Sequence, residues 1–129
     1  MSSSVSRPRR VLVVDDNVDG LRIVTIILRS WGHVVETCHE SDRAVTVALN
    51  FLPEIVILDL GMPRVSGLEV AKMMQNTPAL ESVRLIAVTG YGQADDFNQT
   101  RQAGFEHHLV KPIDFEVLRH VITSPAIPK

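Results

Sequence analysis

The feature that most constrains the fold is a series of short apolar runs that alternate with segments of helical spacing. Four runs have strand character and a fifth is shorter. Most of them are rich in Val, Ile and Leu, which is typical of parallel strands buried on both faces. The second run is half polar, as expected of an edge strand. In chain order the runs span residues 11–14, 33–38, 54–58, 83–88 and 107–110.

Apolar residues recur at helical spacing in the segments that follow these runs, which predicts five helices. The fourth segment, over residues 93–103, is the most polar of the five. Gly32, Pro53, Pro78 and Pro125 lie where helices are expected to have ended. The predicted inward-facing positions are Leu21, Val24, Leu28 and Trp31; Ala44, Val47, Ala48 and Phe51; Val65, Leu68, Ala71 and Met74; Ala94, Phe97 and Ala103; and Phe115, Leu118, Val121 and Ile122.

Strands that alternate with helices predict βαβ units, and therefore a parallel sheet with helices on both faces. Because crossovers between parallel strands are right-handed, few topologies remain, and five units most naturally give the flavodoxin-like order 2-1-3-4-5. We therefore predict an α/β fold with a doubly wound, five-stranded parallel sheet and five helices. The domain is expected over residues 10–124, with a disordered lead-in over 1–9 and a tail over 125–129.

The composition is that of one globular domain, and it argues against several classes of partner. The chain has 129 residues, and 13 basic against 15 acidic residues give a net charge of −2. This balance argues against direct binding to nucleic acid or to an anionic membrane. No apolar run approaches the roughly 20 residues of a membrane span. The single cysteine, Cys38, cannot form an internal disulfide, which favours a cytoplasmic location.

Polar residues that stand directly after the apolar runs predict a site. They are Asp15, Asp16, Asp59, Thr89 and Lys111. The carboxyl ends of parallel strands form the ligand crevice of an open sheet, so these side chains are expected to converge. Like-charged carboxylates at ~4 Å repel by about 4 kcal/mol at an effective dielectric of roughly 20. Such a cluster stays ionised only beside a cation, and oxygen ligands that also meet a phosphoryl group match Mg²⁺ best.

The same residues suit phosphoryl transfer to a carboxylate. An aspartate can attack phosphorus and form an aspartyl phosphate. The transition state spreads negative charge over its oxygens, and a metal, an ammonium and a hydroxyl are the groups that meet such charge.

Four motifs, taken in order, resemble the receiver domains of two-component response regulators. They are Asp15-Asp16 after the first strand, Asp59-Leu60-Gly61-Met62-Pro63 with Gly67 after the third, Thr89-Gly90 after the fourth, and Lys111-Pro112 after the fifth. The resemblance covers roughly residues 10–124, nearly the whole chain. One aspartate pair or one Lys-Pro would be a weak signal, but the ordered set is specific.

The resemblance implies a role for each matching position. Asp59 would be the phospho-acceptor. Asp16 and Asp59 would bind Mg²⁺ directly, Asp15 would act mainly through water, and the backbone carbonyl of Gly61 would supply a further ligand. Lys111 would pair with Asp59 at rest and with the phosphoryl oxygens afterwards.

The resemblance also implies a switch formed by Thr89 and His108. Thr89 would move its hydroxyl toward the phosphoryl group, and His108 stands where the family usually has Tyr or Phe. The donor would be a histidine kinase or a histidine phosphotransfer protein. The surface that changes would comprise the fourth helix, the fifth strand and the fifth helix. Such a domain is not an enzyme in the usual sense, because it catalyses only its own phosphorylation and dephosphorylation.

Other interpretations stay open on the sequence alone. Asp15 and Asp16 are also suitable helix caps, and Thr89 is also a suitable turn residue. A constitutive interaction module would keep the fold without being phosphorylated, although its usual signature is the loss of a key residue. A phosphatase with an aspartate nucleophile would need a second aspartate where Gly61 stands.

The wider setting of the domain is also open. The combination of Gly61, Tyr91 and His107-His108 resembles receivers that are attached to hybrid sensor kinases. A free-standing regulator is the alternative. The kinase, the downstream partner and the choice between a monomer and a weak dimer are not determined by the residues.

Overall fold

The computed structural model describes residues 7–90 and 97–125, and it confirms the predicted α/β fold. Five parallel strands form one sheet in the order β2-β1-β3-β4-β5. The strands are β1 (Arg10–Val14), β2 (Val34–Cys38), β3 (Ile55–Asp59), β4 (Arg84–Thr89) and β5 (Phe105–Val110). The helices are α1 (Val18–Ser30), α2 (Ala44–Phe51), α3 (Gly67–Gln75), α4 (Phe97–Gln102) and α5 (Phe115–Thr123).

Alternate residues of the central strands are buried on opposite faces of the sheet. Leu12 and Leu58 belong to the core that includes α2 and α3. Val13 and Ile57 belong to the core that includes α1 and α5. This two-sided burial explains why the central strands are continuous apolar runs. The edge position of β2 is also confirmed, since its first residue, Val34, is exposed.

Helix caps hold the starts of α1 and α3 at the carboxyl end of the sheet. The Asn17 side chain accepts a hydrogen bond from the backbone N–H of Gly20 at 3.1 Å. Ser66 and Glu69 form a capping box at the start of α3. Since Asn17 caps α1, the alternative role of Asp15 and Asp16 as caps of this helix does not hold.

The strand β5 begins at Phe105, two residues before the run predicted from the sequence. The sequence did not indicate this extension, because a charged residue such as Glu106 is not expected inside a buried strand. The Glu106 carboxylate is buried because it is paired. Arg84 Nε lies 3.1 and 3.2 Å from the two Glu106 carboxylate oxygens. A register shift between Leu85 and Ile86 accommodates the extra residue of β5.

Parts of the predictions lie outside the described residues. These parts are residues 93–96 of the fourth helix with Ala94, and also Tyr91, residues 1–6 of the lead-in and 126–129 of the tail. Within the described lead-in, Arg7 donates two hydrogen bonds of 2.8 Å to Glu54, and the Arg9 backbone N–H donates to His33 Nδ1 at 3.0 Å. No helix in the described ranges is long and apolar enough to cross a membrane.

Candidate functional site

The fold brings the three predicted carboxylates together at the carboxyl end of the sheet. Asp15 follows β1, Asp16 stands next to it, and Asp59 is the last residue of β3. One oxygen from each carboxylate lies within 4.8 Å of the others. Asp15 and Asp59 are only 9% and 6% exposed, whereas Asp16 is open to solvent. The cluster is therefore buried on one side and accessible on the other.

Backbone N–H groups hold one oxygen of each buried carboxylate. Asp59 Oδ1 accepts a hydrogen bond from the Gly61 N–H at 2.9 Å. Asp15 Oδ1 accepts from the Asn17 N–H, also at 2.9 Å. The Asp15 N–H donates in turn to the Cys38 carbonyl at the end of β2. Both aspartates are thus oriented locally, and the second oxygen of each is turned toward Lys111.

Lys111 bridges the two buried carboxylates. Its Nζ lies 3.1 Å from Asp15 Oδ2 and 3.3 Å from Asp59 Oδ2. The Lys111 backbone N–H donates to the Thr89 carbonyl at 2.8 Å, which ties the residue to the end of β4. The peptide bond between Lys111 and Pro112 is cis. The lysine predicted from the sequence is therefore part of the acidic cluster.

The electrostatics of this cluster show a shortage of positive charge. Burial raises the pKa of Asp15, and the neighbouring Asp59 adds to this rise against the opposing effects of the Asn17 N–H and Lys111. Burial acts to lower the pKa of Lys111, but the attraction of Asp15 and Asp59 outweighs it, so that this pKa is raised. Three carboxylates and one ammonium leave an excess of two negative charges. This excess matches a divalent cation with oxygen ligands.

The two predicted switch residues are in direct contact. Thr89 is the last residue of β4 and is only 2% exposed. Its hydroxyl oxygen lies 2.9 Å from His108 Nε2 on the neighbouring strand β5. The other ring nitrogen, Nδ1, lies 3.3 Å from the hydroxyl oxygen of Thr100 on α4. Sequence reasoning missed Thr100, because it is a polar residue in a polar helix and only the fold brings it to His108.

A glycine allows α3 to start directly against the end of β3. A Cβ atom at Gly67 would lie 2.6 Å from the Asp59 carbonyl oxygen and 2.7 Å from Leu60 Cα. Both neighbours are backbone atoms, so they cannot move aside as a flexible side chain would. Gly67, which was part of the sequence motif, therefore positions the backbone of Asp59.

Ser41 holds the loop that follows Asp59, a role that sequence reasoning missed. Its hydroxyl donates to the Pro63 carbonyl at 2.8 Å and accepts from the Val65 N–H at 3.2 Å. Ser41 is buried in a 3₁₀ turn before α2. No local pattern signals a contact between residues so far apart in the chain.

An apolar surface lies beside the acidic cluster. On α1, Val18, Ile23 and Ile26 are exposed, and Ile26 is 60% accessible. Ile23 lines a shallow cavity of about 280 Å³ that runs from Asp15 and Lys111 to the start of α5. Val18 and Ile26 line a second cavity, of about 300 Å³, on the side of α1 toward β2. Apolar side chains around a cavity beside a polar site are typical of a protein interaction surface.

Comparison with known proteins agrees with this arrangement of fold and site. The family model described as the response regulator receiver domain matches residues 11–123, which include all the motif residues. This chain belongs to the response regulator receiver family. The polar-differentiation response regulator DivK of Brucella anthropi is 29% identical to this receiver over 106 residues, which cover 82% of this chain and 86% of DivK.

Solved structures show the same fold as this receiver. The chemotaxis protein CheY4 of Vibrio cholerae matches with a TM-score of 0.82 and 23% identity, covering 90% of this chain and 97% of the other. A second match, with a TM-score of 0.83 and 24% identity, covers 92% of this chain and 89% of that chain. It comes from the co-crystal structure of the Saccharomyces cerevisiae histidine phosphotransfer signaling protein Ypd1 and the receiver domain of its downstream response regulator Ssk1.

Proposed function

We propose that this receiver is a signalling switch that takes a phosphoryl group on Asp59 in a Mg²⁺-dependent reaction. The donor is a histidine kinase or a histidine phosphotransfer protein. The observation that carries the proposal is the joint position of Asp59, Asp15, Asp16 and Lys111 at one edge of the sheet. These groups supply a nucleophile, a ligand set for a divalent cation and an ammonium within reach of one another.

The arrangement suits attack by the Asp59 carboxylate on phosphorus. A carboxylate oxygen forms the new bond to phosphorus, while the P–N bond of the donor phosphohistidine breaks and its electron pair stays on the imidazole nitrogen. The Gly61 N–H, at 2.9 Å, keeps the carboxylate oriented. Lys111 Nζ, at 3.3 Å from Asp59 Oδ2, is placed to meet the charge of the transferred oxygens.

The donor set fits Mg²⁺. The carboxylates of Asp15, Asp16 and Asp59 and the backbone carbonyl of Gly61 would hold the ion, with Asp15 acting mainly through water. All of these ligands are oxygen atoms, which a small hard cation prefers. When bound, Mg²⁺ neutralises negative charge on the phosphoryl oxygens.

We infer that the phosphodonor docks on α1 and on the loop between β5 and α5. The support is the shallow apolar cavity beside the acidic cluster, which is lined by Ile23 of α1 and by Ile113 and Phe115. A donor helix seated there would bury these side chains next to Asp59. The receiver domain of Ssk1, which has the same fold, is known in complex with a histidine phosphotransfer protein.

The output of the switch is a change of the surface formed by α4, β5 and α5. The contact between Thr89 and His108 supports this proposal, because it joins the edge of the site to β5. The receiver catalyses only its own phosphorylation and dephosphorylation. A constitutive interaction module is the competing function, and it keeps the same surfaces without the phosphoryl chemistry.

The decisive experiment measures the intact mass of the protein after incubation with a small phosphodonor, with and without Mg²⁺. We expect the wild-type chain to gain one phosphoryl group only with Mg²⁺, and Asp59→Asn to gain none. Asp19→Asn is the matched control, because Asp19 is an exposed aspartate on α1 outside the cluster. An unmodified wild-type chain would rule out the switch and favour the constitutive module.

A further inference from the structure

The ring of His108 lies between two threonine hydroxyls that come from different elements. On one side Nε2 contacts Thr89 Oγ1 at 2.9 Å, and on the other Nδ1 contacts Thr100 Oγ1 at 3.3 Å. The three side chains therefore form a row of hydrogen-bonding groups from β4 through β5 to α4. The Phe that the family often has at this position has no ring nitrogen and cannot form either contact.

The hydrogen-bonding chemistry of imidazole makes the two contacts depend on each other. A neutral imidazole has one donor nitrogen and one acceptor nitrogen, whereas a threonine hydroxyl can donate or accept. If Nε2 accepts a hydrogen bond from Thr89, Nδ1 carries the proton and donates to Thr100. If Nε2 carries the proton and donates to Thr89, Nδ1 accepts from Thr100. A change in the hydrogen bond to Thr89 therefore alters the hydrogen bond to Thr100, because both depend on the tautomer and orientation of the same ring.

Thr100 is also well placed to affect the packing of α4. Over residues 99–102 it is the buried residue, and its neighbours in this stretch are exposed. Ala103, directly after the helix, is buried in the core beside the sheet. Within residues 99–102, for which burial is described, the polar contact of Thr100 is therefore what holds the helix to the sheet.

We propose that His108 relays the position of the Thr89 hydroxyl to α4 through Thr100. A threonine hydroxyl has a single proton to donate. In the proposed resting state Thr89 donates this proton to Nε2, and Nδ1–H donates to Thr100. When phosphoryl oxygens at Asp59 draw the proton toward the site, the hydrogen bond between Thr89 and His108 is lost or reversed. The ring then changes its tautomer or turns, and its bond to Thr100 changes with it. The inference rests on the proposed function, because it requires a phosphoryl group on Asp59.

The test uses beryllofluoride with Mg²⁺ as a phosphoryl mimic and follows backbone amide shifts by NMR. Shifts at Gly61 and Lys111 report binding of the mimic, and shifts at Arg101 and Ala103 report the response of α4. We expect both sets of shifts in the wild-type chain. In Thr100→Val, which keeps the shape but removes the hydroxyl, we expect the α4 shifts to be lost while those near Asp59 remain. Thr100→Ser keeps a hydroxyl and should restore the α4 shifts.

The ¹⁵N resonances of the His108 ring in the wild-type chain give a second measurement that needs no variant. We expect one protonated and one unprotonated ring nitrogen at rest, and a change at Nε2 and Nδ1 together when the mimic binds. The relay is overturned if the mimic binds and these resonances stay in place, or if Thr100→Val keeps the full α4 response. It is also overturned, with the proposed function still standing, if shifts near Asp59 occur in the wild-type chain without any in α4. Absence of all shifts in the wild-type chain overturns both.

Discussion

The acidic cluster is predicted to reduce the stability of the metal-free receiver, so that Asp59→Asn is more stable than the wild-type chain. Each like-charged partner of Asp59 lies within 4.8 Å. At this distance and an effective dielectric of roughly 20, each repulsion costs about 3.5 kcal/mol. The attraction to Lys111 at 3.3 Å is worth about 5 kcal/mol on the same scale. The two repulsions therefore exceed the attraction, and neutralising Asp59 relieves on the order of 2 kcal/mol.

Urea denaturation at pH 7 measures this difference, with EDTA in one series and Mg²⁺ in the other. In EDTA we expect the free energy of unfolding of Asp59→Asn to exceed that of the wild-type chain by about 1–2 kcal/mol, because exposed Asp16 is partly screened. In Mg²⁺ the gap should close or reverse, since the wild-type chain gains binding free energy that the variant lacks in part. Asp19→Asn should lower stability slightly, by about 0.3–1 kcal/mol and equally in both series, because Asp19 lies in the first turn of α1 and outside the cluster.

One result would refute the reasoning. If Asp59→Asn is less stable than the wild-type chain in EDTA, then Lys111 already compensates the carboxylates. The excess of two negative charges would then not be the physical reason for a divalent cation at this site.

Three further predictions concern the stability of the fold. Gly67→Ala should lower the free energy of unfolding by about 1–3 kcal/mol, because the new Cβ meets backbone atoms. Gly20→Ala is the control in the same urea assay and should be neutral or stabilising, because its Cβ would meet only the Asn17 side chain, at 3.6 Å or beyond. Burial, with nearby Arg side chains, lowers the pKa of His33. The contribution of neutral His33 to stability should therefore be complete above about pH 6.5 and fall as the pH drops below this value. In thermal unfolding, His33→Asn should flatten this part of the curve of stability against pH. Arg84→Met should lower the free energy of unfolding by about 3–5 kcal/mol, because it leaves the buried Glu106 carboxylate without its partner. A double variant with Glu106→Leu should recover most of this loss, and equal stability of the single and double variants would contradict the prediction.

The strands and the location of the site were predictable because both follow from local patterns, and the sheet order followed from the general rules of parallel sheets. Runs of apolar residues mark the strands that are buried on both faces. The change from apolar residues to Asp59, Thr89 and Lys111 at the ends of these runs marks the carboxyl edge of the sheet. A strand direction and a sheet order then suffice to bring these side chains together.

The contacts between distant residues were not predictable in the same way. The polar residue Glu106 looks like the end of a strand until Arg84, which lies 22 positions away in the chain, is found to pair with it. Ser41 likewise lies 22 positions before Pro63, the loop residue that it holds. In both cases the residue type alone is compatible with exposure, and only a partner supplied by the fold makes burial favourable.

The sequence by itself determined the alternation of strands and helices and the clustering of Asp15, Asp16, Asp59 and Lys111. These depend on periodicity and on the position of polar residues at strand ends, which are properties of short segments. Only the tertiary structure decided that one ammonium is shared by two buried carboxylates and that His108 touches a threonine on each side. Hydrogen bonds and ion pairs act over about 3 Å, so they are set by the packing of whole elements and not by spacing along the chain.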